Sequence, residues 1–180
     1  MSELQDYIEA GKIAREVAEK SRGLIKAGNS LLETAETIEG WINDRAEIAF
    51  PVNISVNENA SHYTPSADEK TVFGDKDVVN VDIGTHVNGF VGDIAYTIDL
   101  SGEQGKLVEA SEKALENAIS LVKAGRTTKD IGKTIEETIT SYGFKPIRNL
   151  SGHGLKAYEV HAEPSIPNVD IDYDEELEED

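Results

Sequence analysis

Two aspartates are the first candidates for chemistry, because each lies in a stretch with the alternating apolar and polar pattern of a β-strand. Asp82 and Asp93 flank the dipeptide Asn88-Gly89, which strongly favours a two-residue hairpin turn. With that turn, position 82 faces 95 and position 84 faces 93, whereas a four-residue loop would place 82 opposite 93. In either register both carboxylates lie on one face of the hairpin, with Cβ atoms about 4.5–8 Å apart.

The polar face of this predicted hairpin has two interpretations. It can be an ordinary solvated face that happens to carry acids, since antiparallel sheets often expose one side to water. Aspartate is disfavoured inside strands, however, and two like charges side by side repel each other. A cation held between the carboxylates removes both objections, so a metal site is the second interpretation, and the hairpin alone leaves both open.

Three histidines are further candidates for binding and catalysis. His62 occurs in Ser-His-Tyr-Thr-Pro, His153 in Ser-Gly-His-Gly and His161 in Val-His-Ala-Glu-Pro. One histidine in a loop is usually a surface residue, but three of them favour a shared cleft. Carboxylates together with imidazole suit Mn, Co, Fe or Zn, and two-metal hydrolases hold two such cations about 3.5–4 Å apart. We interpret His86, near the hairpin tip, as structural or exposed.

The apolar spacing predicts the elements that position these residues. A first helix is expected over about 4–25, with Gly28 as the residue that ends it, and a second over 31–42 begins with the capping pattern Ser30-Leu-Leu-Glu33. Further along we predict short extended pieces at 50–52 and 54–56, a polar loop at 57–70, the strand pair at 78–100, helices at 106–123 and 128–142, and an irregular segment after that.

An internal repeat relates the two halves of the chain. At an offset of 97 residues, seven of the 18 positions in 25–42 are identical, among them the Lys-Ala-Gly that ends at Gly28 and again at Gly125. With a small slip, His62 then corresponds to His153. Unit one covers about 1–100 and unit two about 106–180, and the counterpart of the hairpin would begin near residue 175. We therefore expect a second unit without its closing strands.

The composition excludes several classes of protein. The chain has 180 residues, no cysteine and a formal net charge of −18, so thiolate chemistry is excluded and direct nucleic-acid binding is not expected. Eight of the eleven residues in 170–180 are acidic, which is typical of a solvated loop. Without a long apolar run or a secretion signal, we expect a cytoplasmic protein that does not enter a membrane. A Walker loop, a dinucleotide fingerprint and a His-Glu-x-x-His motif are absent from the sequence.

These motifs together resemble the type 2 methionine aminopeptidases, most closely their short archaeal form. The resemblance runs from the first helix to about Asn168, and the stretches that carry it are His62–Pro65, Val81–Gly84, Gly89–Ala95, Leu150–Gly154 and His161–Pro167. It implies an α+β "pita-bread" fold of two pseudo-symmetric halves, in agreement with the repeat. It also implies that 1–180 is the N-terminal portion of a single catalytic domain.

The resemblance implies a role for each candidate residue. Asp82 corresponds to a ligand of the first metal, Asp93 to a carboxylate that bridges both metals, and His153 to a ligand of the second. His62 and His161 correspond to the pair that contacts the scissile peptide of the substrate and stabilises the developing oxyanion. The implied reaction removes the initiator methionine from nascent proteins when the second residue is small, with two divalent ions (Co, Mn, Fe or Zn) as cofactors.

The resemblance also implies the partners of the protein, which are the N-terminal methionine peptides of nascent chains. A position near the ribosome and a monomeric state of the complete protein are further expectations. The family uses two more glutamate ligands, both expected C-terminal to residue 180, and a helical subdomain that is absent from these 180 residues, so we expect the 180-residue chain alone to be inactive. Two alternatives stay open, a related aminopeptidase of different specificity, such as a proline-directed one, and a non-catalytic binding module with the same fold.

Overall fold

The computed structural model describes residues 2–172 and 174–179. Within these ranges the chain forms α1 (Glu3–Ser21), α2 (Leu31–Asn43), β1 (Glu47–Val56), β2 (Val78–Val87), β3 (Phe90–Asp99), α3 (Gly105–Leu121), α4 (Thr128–Ser141), β4 (Gly152–Lys156) and β5 (Glu159–Ile166). The chain divides into two compact units. Unit 1 comprises Met1–Gln104 and Lys156–Val160, and unit 2 comprises Gly105–Leu155 and His161–Asp180. None of the described helices combines the length and apolar content needed to cross a membrane.

A three-stranded antiparallel sheet in the order β1-β2-β3 forms the centre of unit 1. The turn between β2 and β3 is Asn88-Gly89, and both residues have positive φ angles, 52° and 90°. This is the geometry of a two-residue hairpin turn that continues the twist of its strands. The register pairs Asp82 with Ala95 and Asp93 with Gly84. The register predicted from a two-residue turn is therefore confirmed, and the four-residue alternative is wrong.

One face of this sheet is apolar and packs on the two helices of unit 1. The core to which sheet and helices contribute includes Ile13, Val17, Ile38, Ile42, Val79, Val81, Ile83 and Tyr96. The Thr85 hydroxyl donates to the carbonyl of Ala10 at 2.8 Å and ties α1 to β2. Because side chains alternate along a strand, burial of this face directs Asp82 and Asp93 to the opposite one.

The end of α1 differs from the prediction. The α-helix stops at Ser21 and a short 3-10 turn, Arg22–Leu24, follows it, so the expected extension to about residue 25 is wrong. The apolar periodicity continues past the helix because Ile25 is still buried in the core, at 3% exposed. Gly28 has a φ of 89°, which suits glycine, but it lies in the following loop rather than directly after the helix.

Unit 2 contains the helix pair α3 and α4, which lie within about two residues of their predicted bounds. α3 buries three alanines, Ala110, Ala114 and Ala118. An amide–hydroxyl hydrogen bond of 3.0 Å from Asn117 to Thr138 joins the two helices. The two predicted helices are confirmed.

The segment after α4 is more regular than the sequence suggests. Glycines and prolines favour an irregular chain there, but β4 and β5 form a two-stranded sheet. Glycine is required for this pairing, because a Cβ on Gly154 would lie 2.3 Å from the carbonyl oxygen of Glu163. The expectation of an irregular segment is therefore wrong, since the glycine allows a close strand approach instead of breaking the strand.

The internal repeat is visible in equivalent backbone hydrogen bonds, by which the start of the second helix of each unit binds a segment further along the chain, 71–73 in unit 1 and 175–177 in unit 2. In both units a positive-φ glycine between the helices, and the third residue after it, donate backbone N–H groups to that segment. The donor–acceptor pairs are Gly28 to Phe73, Leu31 to Thr71, Gly125 to Leu177 and Thr128 to Glu175, at 2.7–3.1 Å. Backbone hydrogen bonds therefore hold the acidic stretch at 175–177 against the start of α4, while most of its described residues stay exposed, as expected of a solvated loop.

Replacement of Gly92 by alanine tests how closely α1 approaches the sheet. A Cβ at residue 92 would lie 2.6 Å from the backbone carbonyl carbon of Ala10. We expect Gly92→Ala to lower the free energy of unfolding by about 1–3 kcal/mol through overpacking, as measured by urea denaturation. Gly11→Ala is the matched control, because nothing lies within 4 Å of its added Cβ. The control is expected to be neutral or stabilising by up to about 1 kcal/mol, since alanine is the better helix former.

Candidate metal and substrate site

The polar face of the β2–β3 hairpin holds the two candidate metal ligands of unit 1. Asp82 lies opposite Ala95 and Asp93 opposite Gly84, so the two acids are diagonal neighbours on adjacent strands. Such neighbours are about 7–8 Å apart, a distance that one or two cations can span. The ring of Phe50 covers Gly84, where a Cβ would lie 2.3 Å from the ring. The Phe50 ring therefore packs on the face of the sheet that carries the two acids, against the residue paired with Asp93.

Asp82 is held by a buried asparagine on β1. Asn53 is its cross-strand partner and is only 9% exposed. The Nδ2 of Asn53 donates to Oδ2 of Asp82 at 3.2 Å. The Oδ1 of Asn53 in turn accepts from the Thr64 hydroxyl at 2.7 Å. One oxygen of the carboxylate is thereby directed by a fixed donor.

His62 lies in the loop between β1 and β2 with a φ of 62°, in the left-handed region that residues with side chains rarely adopt. The next residue returns to β1. The N–H of Ile54 donates to the carbonyl of Tyr63 at 2.7 Å, and the N–H of Tyr63 donates to Oγ of Ser55 at 3.3 Å. These bonds hold the strained backbone at His62, and strain of this kind is concentrated at functional sites.

Hydrogen bonds to Glu69 close the same loop further along. Its carboxylate accepts from the Thr71 hydroxyl and from the Tyr63 hydroxyl. The Thr71 hydroxyl, followed by the Tyr63 hydroxyl, holds the pKa of Glu69 below its usual range. The same bond to Glu69 raises the pKa of Tyr63. The pKa of Glu69 is lowered in the folded chain. The stability that these hydrogen bonds contribute is therefore fully present above the ordinary carboxyl pKa and is lost as pH falls through the lowered pKa.

The two histidines of unit 2 contact each other. His153 on β4 and His161 on β5 pack edge to face, with ring centroids 4.6 Å apart and an interplanar angle of 78°. The Nδ1 of His153 lies 3.1 Å from the carbonyl of Gly154. A carbonyl only accepts, so this contact places the proton of a neutral ring on Nδ1 and its lone pair on Nε2. A neutral imidazole with its lone pair on Nε2 is a common metal ligand.

His86 has a structural role at the tip of the hairpin. Its Nδ1 accepts from the N–H of Gly89 at 3.2 Å, and its ring packs edge-on against Tyr158 at 5.8 Å. The side chain is 14% exposed. Of the two interpretations offered by the sequence, structural and exposed, the structural one is confirmed.

The candidate residues fall into two sets. Unit 1 holds Asp82 and Asp93 on one face of the sheet and His62 in the adjoining loop, and unit 2 holds His153 beside His161. In residues 2–172 and 174–179, no three histidine or acidic side chains form a group that could hold a metal.

The sequence did not single out Asn53, Thr64 or Phe50. Asn53 fell between the two extended pieces predicted at 50–52 and 54–56, which in the structure are one strand with irregular register. That irregularity turns Asn53 toward Asp82 and could not be read from alternation alone. The one usable signal was a polar residue inside an apolar strand, which usually has a hydrogen-bond partner.

Comparison with known proteins identifies relatives of this chain. The profile of metallopeptidase family M24 matches residues 5–180. Methionine aminopeptidase from Pyrococcus abyssi is 47% identical over 168 residues, which cover 93% of this chain and 57% of that protein. The chain thus spans less than two thirds of the length of this relative.

Solved structures with the same fold extend the comparison. Methionine aminopeptidase from Thermotoga maritima has a TM-score of 0.87 and 30% identity, covering 97% of this chain and 75% of that one. Prolidase from Pyrococcus furiosus has a TM-score of 0.85 and 26% identity, covering 98% of this chain and 53% of that one. The expected pita-bread fold is confirmed by these neighbours.

Proposed function

Because the chain belongs to metallopeptidase family M24, we propose that its protein is a methionine aminopeptidase that removes the initiator methionine when the second residue is small. The observation that carries the proposal is the placement of Asp82 and Asp93 on one polar face of a hairpin, in a chain 47% identical to a named methionine aminopeptidase. Like charges on neighbouring strands are unfavourable without a cation, and this supports the assignment of the two carboxylates as metal ligands.

The proposed metal ligands are Asp82, Asp93 and His153. Asp82 would bind one divalent ion, Asp93 would be shared by two, and His153 would bind the second through Nε2. Oxygen and imidazole donors of this kind suit Mn, Co, Fe or Zn. When bound, such ions supply Lewis acidity and lower the pKa of water. The amide of Asn53 and the carbonyl of Gly154 orient two of these ligands.

His62 and His161 are the proposed substrate-binding residues. An imidazole N–H can donate to the oxygen of the scissile peptide, and this bond strengthens as negative charge develops there. The left-handed backbone at His62 fixes the direction of its side chain before the substrate arrives. The contact with His153 limits the rotation of the His161 ring.

Several further properties belong to the same proposal. Both units would be parts of a single catalytic domain, with repeat units of about 1–100 and 106–180. The substrates would be the N-terminal methionine peptides of nascent chains, met in the cytoplasm near the ribosome. The complete protein would act as a monomer.

Methionine release by the full-length protein tests the proposal. With Mn²⁺ or Co²⁺ present, we expect release from Met-Ala-Ser to exceed release from Met-Lys-Ser by about tenfold or more, because a small pocket rejects the larger side chain. The competing activity is cleavage before proline, suggested by the structural likeness to prolidase. Cleavage of Xaa-Pro dipeptides without methionine release would replace the proposed activity by the prolidase one. Absence of both activities and of metal uptake would favour a binding module.

A further inference from the structure

The polar face of the sheet contains a chain of hydrogen bonds that reaches Asp82 from the His62 loop. It runs from the Thr64 hydroxyl to Oδ1 of Asn53, at 2.7 Å, and from Nδ2 of Asn53 to Oδ2 of Asp82, at 3.2 Å. We name these three residues the Thr64–Asn53–Asp82 relay. Its middle member is a buried side chain, so its polar atoms need partners within the protein.

The chemistry of the three groups fixes the direction of the relay. An ionised carboxylate only accepts, so Asn53 must present its NH₂ group to Asp82. The carbonyl oxygen of Asn53 then faces Thr64, whose hydroxyl must donate. The carboxylate thus sets which end of the Asn53 amide faces it, because it only accepts. The bond from the Thr64 hydroxyl to Oδ1 holds the amide in that orientation, and the amide in turn holds the carboxylate.

The relay is separate from the bonds that hold the loop itself. Tyr63 is already bound to β1 through its carbonyl and its N–H, at Ile54 and Ser55. Those bonds do not depend on the side chains of Asn53 and Thr64. The relay can therefore be removed while the loop stays attached to the strand.

We infer that Asn53 and Thr64 are positioning residues that hold the Asp82 carboxylate in the orientation in which its other oxygen binds a metal. This inference rests on the proposed function, in which Asp82 is a metal ligand. Hydrogen-bond partners of metal ligands typically contribute 10–100-fold to metal affinity. The relay also couples the loop that carries His62 to the ligand, so that both are ordered together.

Metal titration of the full-length protein tests the inference. We expect Asn53→Ala to weaken Mn²⁺ binding about 10–100-fold in calorimetry, and Thr64→Val to weaken it less. Thr64→Ser, which keeps the hydroxyl, should restore the affinity. Because Thr64 acts through Asn53, the double variant should bind no more weakly than Asn53→Ala alone. Thr97→Val is the matched control, since the Thr97 hydroxyl on the same sheet accepts from Asn80 at 3.2 Å and belongs to no relay.

NMR of the metal-free protein gives a second readout. The side-chain amide signals of Asn53 are expected to shift in Thr64→Val and in Asp82→Asn, and to keep their positions in Thr97→Val. Unshifted signals, or additive losses of affinity in the double variant, would overturn the relay. Shifted signals in a protein that takes up no Mn²⁺ would overturn the proposed metal site and leave the relay as an orienting device for Asp82.

Discussion

Asp93→Asn is expected to stabilise the metal-free protein and to abolish most of its metal binding. The substitution removes one of two like charges on neighbouring strands, which should raise the free energy of unfolding by about 0.2–1 kcal/mol. It also removes the proposed shared ligand, so Mn²⁺ affinity should fall by more than the 10–100-fold typical of an orienting residue. A ligand at 100 times its dissociation constant stabilises the native state by about 2.7 kcal/mol, and the variant should lose this gain. Thermal melts with and without Mn²⁺ measure both effects.

Asp75→Asn is the matched control for this experiment. Asp75 is an exposed acid in the loop before β2. Its replacement by asparagine removes the same charge at a position outside the hairpin. Both its metal-free stability and its response to Mn²⁺ should stay close to those of the unsubstituted protein. A fall in the metal-free stability of Asp93→Asn would show that the carboxylate is part of the fold. A full Mn²⁺ response in that variant would remove Asp93 from the ligand set.

The hairpin that carries Asp82 and Asp93 could be predicted from sequence because its information is local. The period of two assigns each side chain to a face, and the Asn88-Gly89 turn fixes the register of the whole pair. Both acids were therefore placed correctly without any long-range contact. The repeat was equally readable, because seven residues of 25–42 recur at an offset of 97. In the structure, Gly28 and Gly125 both have a positive φ and donate equivalent backbone hydrogen bonds.

The features that sequence could not supply depend on contacts between distant segments. β4 and β5 form because Gly154 admits the backbone of the facing strand, whereas the glycine by itself suggested a break. The position of Asn53 beside Asp82 follows from irregular pairing in β1, and the left-handed backbone of His62 follows from hydrogen bonds back to that strand. None of these leaves a periodic pattern. Site residues held by such contacts are visible only once the fold is known.

The left-handed backbone at His62 allows substitutions that are expected to lower kcat with little change in the free energy of unfolding. Asparagine tolerates the left-handed region better than most residues with side chains, and glycine adopts it freely. His62→Asn and His62→Gly should therefore change the free energy of unfolding by no more than about 1 kcal/mol. In the full-length protein, loss of the proposed imidazole donor to the developing oxyanion is nevertheless expected to lower kcat about 100- to 1000-fold with Met-Ala-Ser in His62→Gly, where no side-chain donor remains. The loss should fall on kcat more than on KM, since the charge on the oxygen develops only in the transition state.

The pair of variants separates the imidazole from the backbone. Both asparagine and glycine can adopt the φ of 62° found at this position. Both variants lose the imidazole, but asparagine keeps a shorter amide N–H donor whereas glycine keeps none. If the His62→Gly variant turned over at the rate of the unsubstituted enzyme, the imidazole would have no part in the reaction, and the strained loop would serve only to hold Thr64 against Asn53. Equal losses of kcat in both variants, with unfolding curves that superimpose on the parent, would instead assign the strain at this position to the orientation of a catalytic donor.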